Sequence, residues 1–345
     1  MRLLFITQKV DRADWLLGVT HSWLESLAAR VDRINVICLE QGETELPLNV
    51  KVVSLGKERG VGRLGLMIGF VRALAASIGD VDGVFAHMSP VFALAAGPFA
   101  KVRRLPLVLW YTHRHVDLKL RMAVAVSDAV VSASAESFQL PTPKLRVLGH
   151  GIDPRQFAPL RLSDQPPLIV SVGRLSPIKR HELLIGAARI LRSRGQAVRC
   201  VIIGAAPPGE AAYAEELRTQ GNAVAEFSGA VPYSQIAGWY ARSAVAINLC
   251  PTGGADKAVL EAMFCACPVV VTNQTFAPLL GGEGGRWLVA EDAVAVADAI
   301  ANILADRENA QSRANAIRSR AVTAHSVDGL MDRLVDVFRN PKSVI

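Results

Sequence analysis

The chain has 345 residues, more than one ordinary domain holds, and 51% of them are hydrophobic, enough to fill two cores. The formal charge is +7, and residues 1–160 carry most of it with 19 Lys/Arg against 14 Asp/Glu; the cations are spread out with no aromatic-interleaved basic run, which argues against a nucleic-acid partner. The five cysteines (Cys38, Cys200, Cys250, Cys265 and Cys267) sit in or beside apolar runs without any zinc-binding spacing, as small buried residues in a reducing compartment do.

Met1-Arg2 leads straight into Leu3–Ile6, too short an apolar run for a secretion signal. The longest membrane candidate, Leu64 to Gly79, contains Arg72 and falls short of a span, so a soluble cytoplasmic protein is expected.

In chain order, Leu3–Thr7 reads as a strand and Gln8–Gly18 as a loop. A helix follows over Thr20–Arg30, with Trp23, Leu24, Leu27 and Ala28 at helical spacing, and then a second strand over Ile34–Leu39. That strand–helix–strand unit implies a parallel sheet. Gly18 precedes the helix, so the helix N-terminus can face a ligand, but Gly18-Val19-Thr20-His21 is no dinucleotide fingerprint. Val50–Leu55 is a third strand, and Leu66–Ile78 returns to a helical pattern.

Strands at Val84–Ala86 and Leu107–Tyr111 end at His87 and at Thr112-His113, where α/β sheets place their ligands; a hydrogen-bonded structural role is the competing reading of each histidine. Val124–Val131 and Arg146–Leu148 continue the strand pattern. From Ile152 to Pro167 four prolines interrupt the apolar pattern, which marks an interdomain connector.

A second α/β pattern then begins, with a strand at Leu168–Val172 and a turn at Gly173–Pro177. A helix from Lys179 to Arg194 follows, stopped by Gly195. Further strands are expected at Val198–Ile203, Ala225–Phe227, Val245–Leu249 and Val269–Val271, and helices at Glu210–Gln220, Ser234–Arg242 and Ala293–Leu304, with a helical end to about Arg339. The helix that opens at Asp256 carries an apolar stripe of Val259, Leu260, Met263 and Phe264. Glu261 falls outside that stripe beside Lys257, and the plain reading is a solvent-exposed ion pair.

Three turns of this second half bring polar groups to one sheet edge. One offers Gly173, Arg174 and Lys179, the next offers free backbone groups at Gly229-Ala230-Val231, and the third offers Gly253-Gly254, Ala255, Asp256 and then Glu261. Two cations beside glycine-opened helix N-termini suit a diphosphate, and a carboxylate one turn further in suits a ribose diol.

SVGRLSPIKRHELLIGAARIL, followed by VIIG, FSGAV and DKAVLEAM…CPVVVTN, resembles the donor domain of the retaining glycosyltransferases of family four. FITQKV…LGVTHSWLESLA, AHMSPVFALAAGPFAK, LWYTHRHVDLKLR and GHGIDPRQFAP resemble acceptor-domain segments of bacterial members. The resemblance implies a GT-B fold, two Rossmann-like doubly wound parallel-sheet domains facing a central cleft. The expected boundaries are 1–160 for the acceptor side, 161–325 for the donor domain and 326–345 for a helical segment that packs back on the first domain.

By that resemblance Arg174 and Lys179 match the basic pair on the donor diphosphate, Glu261 the second glutamate of the Glu–seven residues–Glu motif that holds the ribose, and Val231 the loop at the base. His113 matches the histidine facing the transferred sugar, and Gly18 the loop near the phosphates. The family is metal-independent, so neither a metal nor another cofactor is expected.

Two positions depart from the family. The first motif glutamate falls at Gly253, which puts an unusual donor, a shifted role for Asp256 or reduced activity in view, and Arg180 stands where glycine is common. The backbone N–H groups of Gly254, Ala255 and Asp256 remain as candidates to bind phosphate or sugar. The implied function is transfer of a sugar, with retention, from a nucleotide-diphosphate donor to a hydroxyl acceptor. A GT-B sugar-nucleotide epimerase and a catalytically weakened nucleotide-sugar-binding partner are the alternatives. For Lys57–Ala76 a buried core helix is expected, and peripheral contact with an anionic membrane is the alternative.

Overall fold

A computed structural model describes residues 1–15, 17–160, 162, 164–251, 253–282 and 284–341. The chain divides into two compact units, residues 1–151 with 325–345, and residues 152–324.

The first unit holds a seven-stranded parallel sheet of β1 (Arg2–Val10), β2 (Arg33–Gln41), β3 (Val50–Ser54), β4 (Gly83–His87), β5 (Leu107–Trp110), β6 (Ala129–Ser132) and β7 (Leu145–Val147). Their order is β3-β2-β1-β4-β5-β6-β7, so the winding direction reverses between β1 and β4. The strands are near-continuous apolar runs because both faces are covered. One face, with Leu3, Phe5 and Val36, packs on α1 (Val19–Ala28) and on α12 (Val327–Arg339), the last helix of the chain. The other, with Leu4, Ile6 and Val84, packs on α2 (Arg63–Ser77), α3 (Pro90–Arg103) and α4 (Leu118–Val126).

Several sequence expectations change here. β1 runs past Thr7 to Val10, through the polar pair Gln8-Lys9, because Lys9 Nζ is held by Asp14 at 2.8 Å, Glu40 at 3.1 Å and Asp11 at 3.2 Å. Val124–Val131 is not one strand: α4 ends at Val126, and β6 starts at Ala129 after Ser127 caps the helix end. The helix at Pro90–Arg103 has no counterpart in the expected elements, and Pro98 lies inside it. The Leu66–Ile78 helix buries only Phe70 and Leu74 within α2, so it is not the buried core helix expected. Among the described residues no helix is long and apolar enough to cross a membrane.

The second unit holds a five-stranded parallel sheet of β8 (Leu168–Val172), β9 (Arg199–Ile203), β10 (Glu226–Gly229), β11 (Ser243–Asn248) and β12 (Val269–Val271). The order β10-β9-β8-β11-β12 again reverses at one point, between β8 and β11. Its helices are α5 (His181–Ser193), α6 (Ala211–Gly221), α7 (Ile236–Arg242), α8 (Lys257–Phe264), α9 (Ala277–Leu280), α10 (Ala293–Ala305) and α11 (Arg307–His325), the last ending at the unit boundary. α5 starts two residues later than its spacing suggests, because Pro177–Lys179 forms a 3-10 turn and Arg180 takes the left-handed region at φ 52°. All five cysteines are buried and free.

Candidate donor site at the β8/β11 edge

In a doubly wound sheet the crevice for ligands opens at the carboxyl ends of the strands where the order reverses. In the second unit that point is flanked by the loops after β8 and after β11, which carry Gly173, Arg174 and Lys179 on one side and Gly253 to Asp256 on the other. Backbone packing holds the loop after β8 close against the one after β9. Gly173 N–H donates to Ile203 O at 2.9 Å, and a Cβ on Gly204 would lie 1.9 Å from the Gly173 carbonyl oxygen, so only glycine fits at 204. Lys179 lays its stem over Gly173, where a Cβ would sit 3.4 Å from the lysine Cε.

Lys179 Nζ is ion-paired with Asp256 Oδ2, and Asn248 Nδ2 donates to the same oxygen at 2.9 Å. Asp256 Oδ1 accepts from Ala258 N at 3.2 Å and so caps α8. Partial burial alone would raise the Asp256 pKa; the Lys179 ammonium, Asn248 and the cap bond outweigh it and hold the carboxyl at about 2. Lys179 is raised in turn: burial opposes its charge, and Asp256 more than compensates. Arg174 is different. Its side chain is exposed, and among the described residues its guanidinium has no ion-pair or hydrogen-bond partner. Its backbone carbonyl is fixed by His181, whose Nε2 donates to Arg174 O at 3.1 Å while Nδ1 lies 3.4 Å from Ser171 Oγ. Burial keeps His181 neutral, with its pKa pushed down to about 4.

The expected Lys257–Glu261 ion pair is present, but Glu261 is buried rather than solvent-exposed. It is 2% exposed, inside the first turns of α8, and Lys257 Nζ lies 3.8 Å from Oε1, beyond hydrogen-bond reach. Among the described residues Glu261 Oε1 has no hydrogen-bond partner, and neither does the buried Tyr233 Oη. Burial pushes the Glu261 carboxyl up to about 7, against the pull of Lys257 and of the Tyr233 hydroxyl. Lys257 in turn sits 4.4 Å from the centroid of the Tyr233 ring, which carries it over the aromatic face.

Gly253 adopts φ 112°, a left-handed value that a glutamate would take only under strain, although a Cβ there meets nothing within 4 Å. Its carbonyl accepts from Thr275 Oγ1 at 3.3 Å and Asn273 Nδ2 at 3.4 Å. The Gly229 backbone, read from sequence as free, is partly committed: its carbonyl accepts from Gly204 N at 2.9 Å. Ala230 is exposed and Val231 half-buried in the same loop.

Thus Gly173, Arg174, Lys179, Gly254, Ala255, Asp256 and Glu261 belong to turns and helix starts at one edge of the second sheet, and Val231 follows β10 of that sheet. Gly18 and His113 lie in the first unit, Gly18 ahead of α1 and His113 after β5, with its ring 5.4 Å from that of Tyr111. His87 is structural: it is 4% exposed, Nδ1 lies 2.9 Å from Thr7 Oγ1, and burial lowers its pKa to about 3. Sequence reasoning missed His181, Asn248 and Tyr233. Asn248 left a signal, a polar residue at the end of an apolar strand; His181 and Tyr233 left none. Among the described residues no group of three or more His, Cys, Asp or Glu side chains is placed to hold a metal ion.

The chain is similar to several known proteins. Residues 166–306 match the family described as Glycosyl transferases group 1. The chain is 29% identical over 301 residues to a GDP-mannose-dependent alpha-(1-6)-phosphatidylinositol monomannoside mannosyltransferase of Mycobacterium tuberculosis, covering 75% of this chain and 76% of that one. Among solved structures it is similar to Anabaena HepE in complex with UDP-glucose, with TM-score 0.74, 18% identity and 98% and 99% of the two chains covered. It is also similar to sucrose-phosphate synthase of Thermosynechococcus elongatus, with TM-score 0.72, 17% identity and 97% and 98% covered. The two parallel-sheet units are those of the GT-B fold, and within the second unit residues 166–306 are similar to the group 1 glycosyl transferases.

Proposed function

We propose that the protein is a retaining, metal-independent glycosyltransferase of family four. It moves a sugar from a nucleoside-diphosphate donor to a hydroxyl acceptor on a glycan, lipid-linked carrier or small molecule. The observation that carries this reading is the buried carboxylate oxygen Glu261 Oε1, left without a hydrogen-bond partner and with the Lys257 ammonium 3.8 Å away, in the first turns of α8 at the sheet's switch point. A buried polar atom without a partner costs stability, and a ligand hydroxyl that donates to it returns that cost on binding.

In this reading Glu261 accepts hydrogen bonds from the ribose diol, and the loop at Val231 lies against the base. The exposed Arg174 and the Asp256-held Lys179 stabilise negative charge that develops on the departing diphosphate. The N–H groups of Gly254, Ala255 and Asp256 serve phosphate or sugar oxygens. Arg174 keeps its bearing because His181 holds its carbonyl, and Lys179 keeps its position because Asp256 and Asn248 fix it. The sugar-orienting role of His113 and the phosphate-side role of Gly18 rest on the family resemblance. The leaving phosphate takes the acceptor proton, so no side chain is assigned as general base.

The donor is tested by thermal shift with UDP, GDP, ADP and their sugar conjugates, GDP-mannose and UDP-glucose foremost because the relatives' names carry them. One nucleotide is expected to raise the melting temperature by mass action, and Glu261→Ala to abolish the rise. No shift with any nucleotide overturns the donor site. Product anomers read by NMR test retention; an inverted product removes that part of the proposal. Gly253 favours one second reading, a nucleotide-sugar-binding partner with weakened catalysis, since the position lacks the carboxylate that the family uses on the sugar. Binding of the conjugate with no turnover against a panel of hydroxyl acceptors would select it.

A further inference from the structure

The second unit's switch point is one unusual surface; the outer side of the α2–α3–α4 layer is another. Sixteen large apolar side chains are exposed among the described residues, and nine of them lie on these three helices. Singly exposed apolar residues are ordinary, but a concentration on one layer is not. On α2, Leu64, Met67, Ile68 and Val71 recur at three- and four-residue intervals and are 65%, 61%, 44% and 48% exposed, so the helix has an apolar stripe turned away from its own core. α4 presents Leu118 at 70% and Met122 at 50% one turn apart. The layer is continuous: Phe70 of α2 stacks on Phe92 of α3 at 6.3 Å, and Gly97 of α3 lies against Val126 of α4, which a Cβ would approach to 3.3 Å.

The charge on this layer has one sign. The three helices contain Arg63, Arg72, Lys101, Arg103, Lys119 and Arg121 and no Asp or Glu. All six are exposed, and among the described residues none has an ion-pair partner. Elsewhere in the first unit several arginines are neutralised: Arg2 pairs with Asp80 and Asp82, Arg30 with Asp332 and Arg33 with Asp80. Arg72 follows Ile68 by one helical turn, which puts a cation beside the apolar stripe.

We propose that the α2–α3–α4 face docks on an anionic lipid surface, with its apolar side chains in the interfacial layer and its cations on the headgroups. Exposed apolar side chains among uncompensated cations are complementary to such a surface, where hydrocarbon lies just beneath negative charge. None of the three helices spans a bilayer, so the contact is peripheral. The proposal rests on none of the donor-site residues: Gly18 and His113 of that reading lie in the same unit but not on these three helices.

The test is flotation of the intact chain with phosphatidylcholine vesicles and with vesicles containing phosphatidylglycerol, at low and high salt. The protein is expected to float with the anionic vesicles at low salt, to float less as salt screens the headgroups, and not to float with neutral ones. The Arg72→Ala, Lys119→Ala, Arg121→Ala triple variant is expected to bind about a hundredfold more weakly, at about fivefold per basic residue. Its nucleotide response and melting temperature should be unchanged, because these side chains are exposed and unpaired. Met67→Ser with Ile68→Ser is expected to weaken binding at every salt concentration. Protein that stays soluble beside anionic vesicles at low salt, or a triple variant that floats like the parent, overturns the proposal. So does a dimer seen by light scattering that the Met67→Ser, Ile68→Ser variant dissociates, since a second copy would then be the occupant.

Discussion

The two sheets reverse their winding in the same way, yet the groups at the two reversal points are treated differently. In the first unit the polar side chains His87 and Lys9, on β4 and β1, find partners within the protein, although Thr20 Oγ1 at the start of α1 is buried without one. His87 meets Thr7, and Lys9 is held by three carboxylates. In the second unit Asp256 is also satisfied, but five residues later in the same helix start Glu261 is buried with Oε1 making no hydrogen bond and only the 3.8 Å ion pair with Lys257, and Arg174 in the loop after β8 stands unpaired. A fold can close its switch point with internal hydrogen bonds or leave it open for a ligand. The second unit has left it open, and the cost should be measurable as stability given up for binding.

Glu261 gives the largest such effect. Its folded pKa of about 7 lies above the ordinary 4.5, so the ionised form is disfavoured in the fold. The penalty is absent below pH 4.5, grows between pH 4.5 and about 7, and is constant above. At about 1.36 kcal/mol per unit it reaches about 3 kcal/mol. Glu261→Gln should therefore stabilise the protein by up to about 3 kcal/mol at pH 8 and by little or nothing at pH 4.5, read from urea midpoints at both. The same linkage predicts that nucleotide affinity of the parent rises with pH through 7, as the carboxylate that accepts the ribose hydroxyls ionises. Equal effects of the substitution at both pH values would mean that Glu261 is not a strained ligand group.

The order of elements was legible because parallel strands buried on both faces are unbroken apolar runs; Leu168–Val172 and Val269–Val271 match their strands end to end. What spacing could not carry was the chemistry of contacts between distant segments. β1 outran its apolar run because Glu40 of the neighbouring strand, with Asp11 and Asp14 of the following loop, pairs with Lys9. Pro90–Arg103 went unrecognised as a helix because alanine, glycine and an internal proline blur its stripe. At the site, the residues on the turns could be named, but their states could not. Glu261 was placed on the solvent side because helical angle alone ignores what packs over α8. His181 looked like one more helix residue until the Arg174 carbonyl met its ring.

Asp256 offers the next contrast, since it is the satisfied carboxylate of the same turn. Its folded pKa of about 2 lies below the usual 3.8, so it contributes stability above pH 3.8 that is lost as pH falls through 2. The difference corresponds to about 2 kcal/mol. Lys179→Met should lower stability at pH 7 by about that amount, because it leaves Asp256 charged and partly buried without its main partner. Adding Asp256→Asn should restore most of the loss while leaving diphosphate affinity low. If the double variant is no more stable than the single one, the pair is not the clamp that holds Lys179.

The smallest effect belongs to the closed switch point of the first unit, and it is the control on the whole contrast. Thr7 is 2% exposed, and its hydroxyl is the hydrogen-bond partner of His87. Thr7→Val keeps the shape and removes that bond, at an expected cost of about 1 kcal/mol at neutral pH. The nucleotide-induced thermal shift should keep its full size, because a bond that closes the protein upon itself has nothing to give a ligand. A Thr7→Val protein that melts lower but responds normally to nucleotide leaves the contrast standing. One that loses the response would show that the buried His87–Thr7 pair serves binding, and that internal satisfaction of polar groups does not distinguish a closed edge from an open one.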